Sequence, residues 1–336
     1  MLAALFSRLF GAAESPAADL YFRNACADFV GSGVEQLAPT VFASESACLV
    51  IRHDRHAGRL PPGRRLIYLV DDDLDAGASD ESLPFLYRQR LRMVESAAAR
   101  RIRRFAGIAV VSSPVLARVF QPMMQTHLLR PYWSEPFADL DHFAETETID
   151  MAYLGAGSHR EDLAFLLPVI RLLLRENPTL RFHLRAEHRL PGDLQSHARV
   201  CRIPGRTWTE YRTELSRRRF HLALYPLMDT PFNRGQSPNK LIEHAIVGAA
   251  PIYSENWREA RRASVHSAGV CLPDQQGIWF ETISALMADR EEMQRLAVAS
   301  QRLARTLNSS SKQRAFWREL LEIEAPVAAK RSQAPA

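Results

Sequence analysis

The strongest constraint on the fold of this 336-residue chain is the alternation of short apolar runs with segments of helical periodicity. In the second half, strands are predicted near 149–154, 180–185, 199–203, 219–225, 250–253 and 269–272. Helices are predicted near 160–175, 208–218, 238–247, 255–263, 278–288, 290–306 and 311–323. Strands that alternate with helices form parallel sheets, so this half is predicted to be a doubly wound α/β domain.

The first half follows this pattern with fewer elements. Three or four strands are predicted, at Ala47–Ile51, Leu66–Val70, Gly107–Ser112 and His127–Pro131. A long helix is expected over Leu83–Arg104, and a short helix capped by Ser113 follows the third strand. The sequence therefore predicts a reduced first domain, a full-sized second domain and a disordered tail rich in Ala and Pro, with the bounds 1–147, 148–323 and 324–336.

Cysteine usage and hydropathy exclude several classes of protein. Cys26, Cys48, Cys201 and Cys271 form no pair at metal-ligand spacing, so neither a zinc site nor a disulfide framework is predicted, and a reducing cytoplasm is expected. No apolar run approaches the ~20 residues of a transmembrane helix. Met1–Ala18 contains Leu and Phe residues without a basic start, which favours a short amphipathic helix over a cleaved signal peptide.

The formal net charge is +5, and almost all of the basic residues are arginines. Lys240 is the one lysine within the predicted folded middle of the chain, because the other two are Lys312 and Lys330. A basic balance alone would fit nucleic-acid binding. No motif for nucleic-acid binding accompanies this charge, so no such partner is predicted.

A single turn of helix in the second half brings together groups that suit a nucleotide diphosphate. Ser237 is expected to cap a helix whose first residue is Pro238, and Gly248 ends that helix before a Pro-containing strand. Lys240 and Glu243 lie three residues apart near its start. A cation, a carboxylate that can accept bonds from sugar hydroxyls, and a helix start that attracts phosphate are thus expected within one turn.

A glycine-containing loop opens the second predicted domain. A strand runs into Gly155-Ala-Gly157-Ser158, and a helix is expected directly afterwards. Glycines let the backbone approach a phosphate closely, and the helix start attracts the same group. The alternative interpretation is that Gly155 and Gly157 only shape a turn and that Arg160 is a solvated residue at the helix start.

The stretch around Glu243 resembles the nucleotide-sugar signature of GT-B-fold glycosyltransferases of the group 1 (family 4) type, over about residues 148–300. That resemblance implies two Rossmann-like domains facing a cleft, and a retaining transferase that needs no metal. It implies that Glu243 holds the donor ribose, and that His159 and Arg160 lie approximately where the family has a basic pair that clamps the diphosphate. Arg160, Lys240 and the helix starts near Ser158 and Ser237 would stabilise the leaving group.

The chain departs from the family at one position. Many members carry a second Glu eight residues before the ribose-binding one, near the transferred sugar, and this chain has Gly235 there. The role of that Glu could pass to Asp229, Asn233 or Gln236, and Asn233 is included among the predicted donor-binding residues. A non-catalytic sugar-nucleotide-binding or scaffold protein is the alternative if activity has been lost.

Three consecutive acids, Asp71, Asp72 and Asp73, follow the predicted strand Leu66–Val70. In a GT-B protein they would line the cleft and meet the acceptor or the donor sugar, and Asp73 is the predicted catalytic member. Two alternatives stay open: a metal-dependent Asp-x-Asp transferase or phosphatase, and acids that only cap and solvate a loop. His53 and His56, which follow another strand, are candidates for positioning the sugar.

The sequence therefore predicts a glycosyltransferase that moves a sugar from a nucleotide-sugar donor to a glycan, lipid-linked or protein acceptor, without a cofactor or metal. The Arg-rich helix over Leu83–Arg104 is either a surface helix with packed arginine stems or a surface that contacts a membrane. A cytoplasmic location, in peripheral contact with the inner face of the membrane, is the corresponding expectation.

Overall fold

The computed structural model describes residues 14–54, 60–144, 147–204 and 207–323. The first sheet contains β1 to β6, at Glu35–Ala38, Val41–Ala43, Ala47–Ile51, Arg65–Val70, Ile108–Val111 and Gln125–Leu128. These strands lie in chain order across the sheet. The pairs among β1, β2 and β3 are antiparallel, whereas β3 to β6 run parallel. The sequence-based count of three or four strands is therefore too low, because the short hairpin of β1 and β2 escapes detection.

The second sheet contains β7 to β12, at Ile149–Tyr153, Leu180–Arg185, Val200–Ile203, Leu222–Tyr225, Ala250–Ser254 and Val270–Leu272. Its strand order is β12-β11-β10-β7-β8-β9, and every neighbouring pair is parallel. The doubly wound fold predicted for this half is confirmed. The strand order reverses between β7 and β10, which places a crevice beyond their carboxyl ends.

Helices cover both faces of each sheet. In the first half α1 to α4 lie at Leu74–Ser79, Phe85–Arg90, Ser96–Arg103 and Pro114–Phe120, with a π-helical turn Leu91–Glu95 between α2 and α3. In the second half α5 to α9 lie at Arg160–Glu176, Gly192–Gln195, Trp208–Ser216, Pro231–Arg234 and Asn239–Ile246. Finally, α10 to α13 lie at Arg258–Val265, Gln276–Ala288, Arg290–Leu307 and Ser310–Leu320. The long helix expected over Leu83–Arg104 is thus present with a π-helical interruption.

The start of α9 corrects one detail of the sequence analysis. Pro238, not Ser237, is the N-cap residue, and the first helical residue is Asn239. Ser237 lies one position earlier, where its hydroxyl accepts a hydrogen bond from the Asn239 amide at 3.4 Å. Helix boundaries shift by one residue easily, so the motif stays at the helix start.

A helical segment, residues 16–29, joins the two sheets. It consists of short helical turns, and Phe22 packs against Phe42 of the first sheet and against Trp317 of α13. On its other side, Asp19 accepts a hydrogen bond from the indole nitrogen of Trp208 in α7 at 2.8 Å. One buried apolar cluster therefore runs from the first sheet through this segment to the second sheet. We call this contact region the seam.

Among the described residues, none of the helices combines the length and the apolar character needed to span a bilayer. All four cysteines are free thiols. Residues 324–336, predicted to be a disordered tail, and most of the helix predicted over Met1–Ala18 lie outside the described residues. The predicted domain boundary near residue 147 falls between β6 and β7 and stays a prediction.

Candidate active site

The candidate site lies where the carboxyl edges of the two sheets meet. The loop after β10 approaches the first sheet directly, because the Ser113 hydroxyl donates to the Gly235 carbonyl at 2.8 Å. The Gln236 amide also donates to Asp72 Oδ1 at 3.3 Å. Polar groups that follow β4, β5, β7, β8 and β10 are consequently gathered in one region, as expected for parallel sheets whose loops carry function.

The Lys240 and Glu243 side chains of α9 contact each other at the floor of this region. Lys240 Nζ donates to a Glu243 carboxylate oxygen and, at 2.7 Å, to the Leu154 carbonyl at the end of β7. The other Glu243 oxygen accepts a hydrogen bond from the hydroxyl of Tyr211 in α7. Glu243 is only 1% exposed. The predicted pairing of cation and carboxylate is present, and Tyr211 is a partner that the sequence did not reveal.

Burial governs the electrostatics of this trio. Desolvation lowers the pKa of the Lys240 ammonium, and the Glu243 carboxylate acts in the opposite direction. Desolvation and the neighbouring Glu243 charge raise the pKa of the Tyr211 hydroxyl well above its ordinary value. The Tyr211 hydroxyl therefore stays protonated near neutral pH and can act as a hydrogen-bond donor to Glu243.

The glycine loop after β7 has one glycine that packing requires. A side chain at Gly155 would place its Cβ 2.3 Å from the ring of Tyr153, and the Gly155 carbonyl lies 2.8 Å from His188 Nε2. Gly157 is exposed, and its amide donates to Glu187 Oε1 at 2.6 Å. Ser158 is half-buried just before α5. Gly155 is thus required by packing, and the Gly157 amide faces an anionic group.

The His159 side chain is fixed by the first turn of α5. His159 Nδ1 lies 2.7 Å from Asp162 Oδ2, and Asp162 is nearly fully buried. Asp162 Oδ1 accepts a hydrogen bond from the Met228 amide at 2.7 Å and faces the Asn233 amide nitrogen at 3.4 Å. Asp162 therefore joins the loop after β7 to the loop after β10. Asn233, a predicted donor-binding residue, is buried with its amide nitrogen directed to Asp162 and the Met228 carbonyl.

Arg160, the other member of the predicted basic pair, points into solvent. Its side chain is 75% exposed, and its Nε lies 4.0 Å from Glu161 Oε1. The structure therefore gives His159 and Arg160 different environments: one is held against a buried acid, the other is solvated. The diphosphate role predicted for each of them stays a prediction.

The three acids after β4 have distinct partners. Arg52 Nη1 lies 3.1 Å from Asp71 Oδ1 and 2.9 Å from Asp72 Oδ2. Asp73 is the N-cap of α1 and accepts a hydrogen bond from the Ala76 amide at 3.0 Å. Burial raises the pKa of the Asp73 carboxyl. The acids are therefore neutralised by Arg52 or used for capping.

Arg52 adopts a backbone φ of +61°, which is rare for a side chain of this size. Such conformations cost free energy and persist where the surrounding contacts hold them. Here the Arg52 amide donates to the Leu69 carbonyl at 2.8 Å while its guanidinium bridges Asp71 and Asp72. His53 follows, with its carbonyl accepting a bond from Thr40 at 2.7 Å. His56 lies outside the described residues.

Position 235, where the resembled family has Glu, lies against Asp73. A Cβ added to Gly235 would be 3.6 Å from Asp73 Cβ and 3.4 Å from the Phe232 carbonyl, which is ordinary contact. The Gly235 backbone has a φ of −79°, so a larger residue would not strain it. The acidic side chain that contacts this position thus comes from the loop after β4 of the first sheet. Asp229, one of the sequence-based candidates for the missing Glu, is instead paired with Arg234 on the surface.

No group of three or more metal-ligating side chains converges within 14–54, 60–144, 147–204 and 207–323. The sequence analysis did not single out Arg52, Asp162, Glu187 or Tyr211, which the structure places in this region. Arg52 and Glu187 carry a usable signal, because both are charged residues just after a strand that leads to the carboxyl edge. Tyr211 carries none, because its contact with Glu243 spans 32 residues and depends on how two helices pack.

Several solved structures are similar to this chain. Sucrose-phosphate synthase from Thermosynechococcus elongatus shares 14% identity over 78% of this chain and 69% of that chain, with a TM-score of 0.56. HepE from Anabaena, in complex with UDP and glucose, shares 14% identity over 77% of this chain and 72% of that chain, with a TM-score of 0.55. WaaG, a glycosyltransferase involved in lipopolysaccharide biosynthesis, shares 13% identity over 79% of each chain, with a TM-score of 0.54.

The chain has the GT-B fold. The predicted fold class is therefore confirmed, with two Rossmann-like sheets whose carboxyl edges face each other. At this level of identity the likeness establishes the GT-B fold alone. No family model matches the chain, and no curated protein matches it in sequence.

Proposed function

We propose that this GT-B protein is a glycosyltransferase that takes a sugar from a nucleotide-sugar donor with retention of configuration. The observation that carries the proposal is the contact of Lys240, Glu243 and Tyr211 at the carboxyl edge of the second sheet, beside the loop after β7. Nucleotides bind at this place in open α/β sheets. The structure of HepE with UDP and glucose supports a donor of the nucleoside-diphosphate class.

In the proposed site, Glu243 accepts hydrogen bonds from the ribose, and Lys240 and Arg160 interact with the diphosphate. The backbone between Gly155 and Ser158, together with the start of α5, supplies amide donors. Negative charge grows on the diphosphate as the sugar–phosphate bond breaks, so fixed positive groups stabilise the transition state more than the ground state. Ser237, just before α9, is proposed to add a hydroxyl to the same site.

We further propose that Asp73 supplies the carboxylate that the family places at position 235. Replacing Asp73 by Ala should lower turnover at least about tenfold, and adding Gly235→Glu to that variant should restore part of it. Gly235→Glu alone would place two carboxylates side by side and should lower turnover. Failure of the double variant to recover, with its fold intact, would contradict this assignment.

The acceptor is proposed to be a glycan or a lipid-linked molecule presented at a membrane surface. The segment 85–105 exposes large apolar side chains beside several arginines, among them Phe85, Leu86, Met93 and Phe105. An exposed set of this kind suits binding to anionic lipid headgroups. Sedimentation with vesicles containing phosphatidylglycerol, compared with pure phosphatidylcholine vesicles, tests this contact. A cytoplasmic location belongs to the same proposal.

The deciding experiment is a thermal-shift titration with UDP-, GDP-, ADP- and CMP-linked sugars, followed by donor hydrolysis in excess EDTA and with manganese. One donor class should raise the melting temperature, and hydrolysis should persist in EDTA because cationic side chains and backbone amide donors stabilise the leaving diphosphate. Binding without turnover would favour a non-catalytic sugar-nucleotide-binding protein. Activity that requires manganese and is lost in Asp71→Asn would favour the metal-dependent alternative.

A further inference from the structure

The proposed function assigns no role to two charged residues at the end of β8. Arg185 is the last residue of β8, and Glu187 follows it by two positions. Arg185 Nη2 lies 3.1 Å from Glu187 Oε2, and the other Glu187 oxygen accepts the hydrogen bond from the Gly157 amide at 2.6 Å. One carboxylate thus joins a guanidinium to the glycine loop.

Arg185 is also in contact with the floor of the proposed donor site. Its guanidinium carbon lies 4.3 Å from the ring centroid of Tyr211, whose hydroxyl donates to Glu243. A guanidinium packed on an aromatic ring is held in one orientation and keeps its N–H groups available at its edge. The Arg185 side chain is 20% exposed, so it can be reached from solvent.

The Glu187 carboxylate has the geometry of a bound anion. It accepts a hydrogen bond from a loop amide that precedes a helix start and lies beside a guanidinium, and both kinds of donor commonly bind phosphate oxygens in proteins. A Cβ added to Gly157 would lie 3.3 Å from Glu187 Oε1, so a larger residue there would require the Glu187 side chain to shift slightly. The Glu187 side chain is 40% exposed and can turn into solvent without opening the core.

We propose that Arg185 is a donor-phosphate ligand and that Glu187 occupies the phosphate position in the nucleotide-free protein. The proposal rests on the nucleotide-sugar function above. When the donor binds, a phosphate oxygen takes the Gly157 amide and the Arg185 guanidinium, and Glu187 is displaced into solvent. Glu187 therefore competes with the donor and selects for ligands with more negative charge than a single carboxylate carries.

The test compares binding of UDP, GDP and ADP, each with its nucleoside, by calorimetry to the wild type, Glu187→Gln and Glu187→Ala. Removing the competing charge should tighten nucleoside diphosphate binding by about threefold to tenfold. Binding of the nucleosides should stay unchanged. Arg185→Ala should weaken diphosphate binding by about tenfold or more.

Matched controls are Glu176→Gln and Arg175→Ala at the far end of α5, about 25 Å from its start at the helical rise per residue. These variants make the same changes in net charge away from the site. Unchanged or weaker diphosphate binding in a folded Glu187→Gln would overturn the inference while leaving the proposed function intact. If neither the wild type nor any variant binds a nucleoside diphosphate, the proposed function falls and the inference falls with it.

Discussion

The two edges of the second sheet both bury charged and polar side chains, but they use them differently. At the amino edge, where the parallel strands begin, His221 accepts a hydrogen bond from the Asp150 amide at 3.0 Å. The other ring nitrogen of His221 lies 3.0 Å from the His142 carbonyl. Asp150 also contacts Arg181 and His183. At the carboxyl edge, by contrast, side chains such as Asp162 and Glu187 connect separate loops.

This difference shows that a buried polar cluster does not by itself indicate a binding site. Amino-edge groups bond mainly to the backbone and to residues on adjacent strands, which fixes the packing of β7, β8 and β10. Carboxyl-edge groups hold together loops that meet only in the folded protein, and some of them, including Arg185, stay accessible to solvent. We therefore expect the position on the sheet, rather than the degree of burial, to distinguish charges that only stabilise the fold from charges that bind a ligand.

The largest expected change in stability comes from a substitution at the carboxyl edge. Replacing Glu243 by Ala removes the partner of the buried Lys240 ammonium, so the free energy of unfolding should fall by about 3–5 kcal/mol. Urea unfolding followed by circular dichroism measures the change. Glu176→Ala, which removes an exposed carboxylate, is the control and should stay close to the wild type.

A second variant separates stability from binding at the same place. Lys240→Met combined with Glu243→Leu removes both charges, so part of the lost stability should return while nucleotide affinity should not. If the double variant bound nucleotides with wild-type affinity, Lys240 and Glu243 would only stabilise the fold, as the charged groups of the amino edge do.

The next effect is a pH dependence that belongs to the amino edge. Burial, with His142 and Arg290 nearby, lowers the pKa of His221 from 6.5 to about 4. The unfolded chain therefore binds a proton that the folded protein excludes, and stability should fall as the pH drops from about 6.5 towards 4. The loss attributable to His221 is on the order of 3 kcal/mol. Urea titrations at several pH values measure it.

His221→Asn is the matched variant, because its amide oxygen can still accept the bond from the Asp150 amide. This variant should be less stable than the wild type at pH 7 and should depend less on pH between 6.5 and 4. Equal slopes for the two proteins would assign the pH dependence to other groups.

A smaller effect is expected for Asp162. Asp162→Asn keeps an acceptor for the Met228 amide and loses the charged partner of His159, so unfolding should become easier by about 1.5–3 kcal/mol. The affinity for nucleoside diphosphates should fall as well, because the weakened contact with His159 holds the loop after β7 less firmly. Asp193→Asn, which alters an exposed pair with Arg171, is the control and should change neither quantity.

The smallest effect is expected for Asp229→Asn. The Asp229 and Arg234 side chains form an exposed pair at 2.6 Å, and exposed pairs contribute little to stability. Unfolding should be unchanged within experimental error. If the free energy of unfolding fell as much as in Asp162→Asn, the loop after β10 would depend on this pair. Charges that connect loops and charges on the surface would then not differ in their contribution to stability.

Much of the fold was predictable from local patterns. The strands and the longer helices of the second half follow from apolar periodicity, whereas the four-residue helices Gly192–Gln195 and Pro231–Arg234 were not predicted. The parallel strand order follows from strand–helix alternation. The hairpin of β1 and β2 was not predicted, because Glu35–Ala38 buries only its last residue and lacks an apolar run, and Val41–Ala43 is a three-residue strand with no predicted helix beside it. The π-helical turn Leu91–Glu95 could not be predicted either, because its apolar residues continue the helical spacing of the α-helices on both sides.

The site was predictable only where its groups are close in sequence. Lys240 and Glu243 share one turn of a helix, so their contact could be predicted. The partners of Glu243 and Gly157 come from α7 and from the end of β8, and only the packing of the folded chain brings them near. Asp73 was singled out as a cleft residue, yet its capping of α1 and its contact with position 235 needed the structure.

A buried cysteine in the seam can be used to detect local opening of this contact region. Cys26 lies in the 16–29 segment with no exposed surface, and burial raises the pKa of its thiol to about 12. A thiol reagent can reach Cys26 only while the segment is detached from Trp317 and its neighbours, whereas the half-buried Cys201 and Cys271 should react without such opening. In a Cys48→Ala variant, which removes the other buried thiol, the slow phase of thiol labelling therefore measures how often this segment detaches.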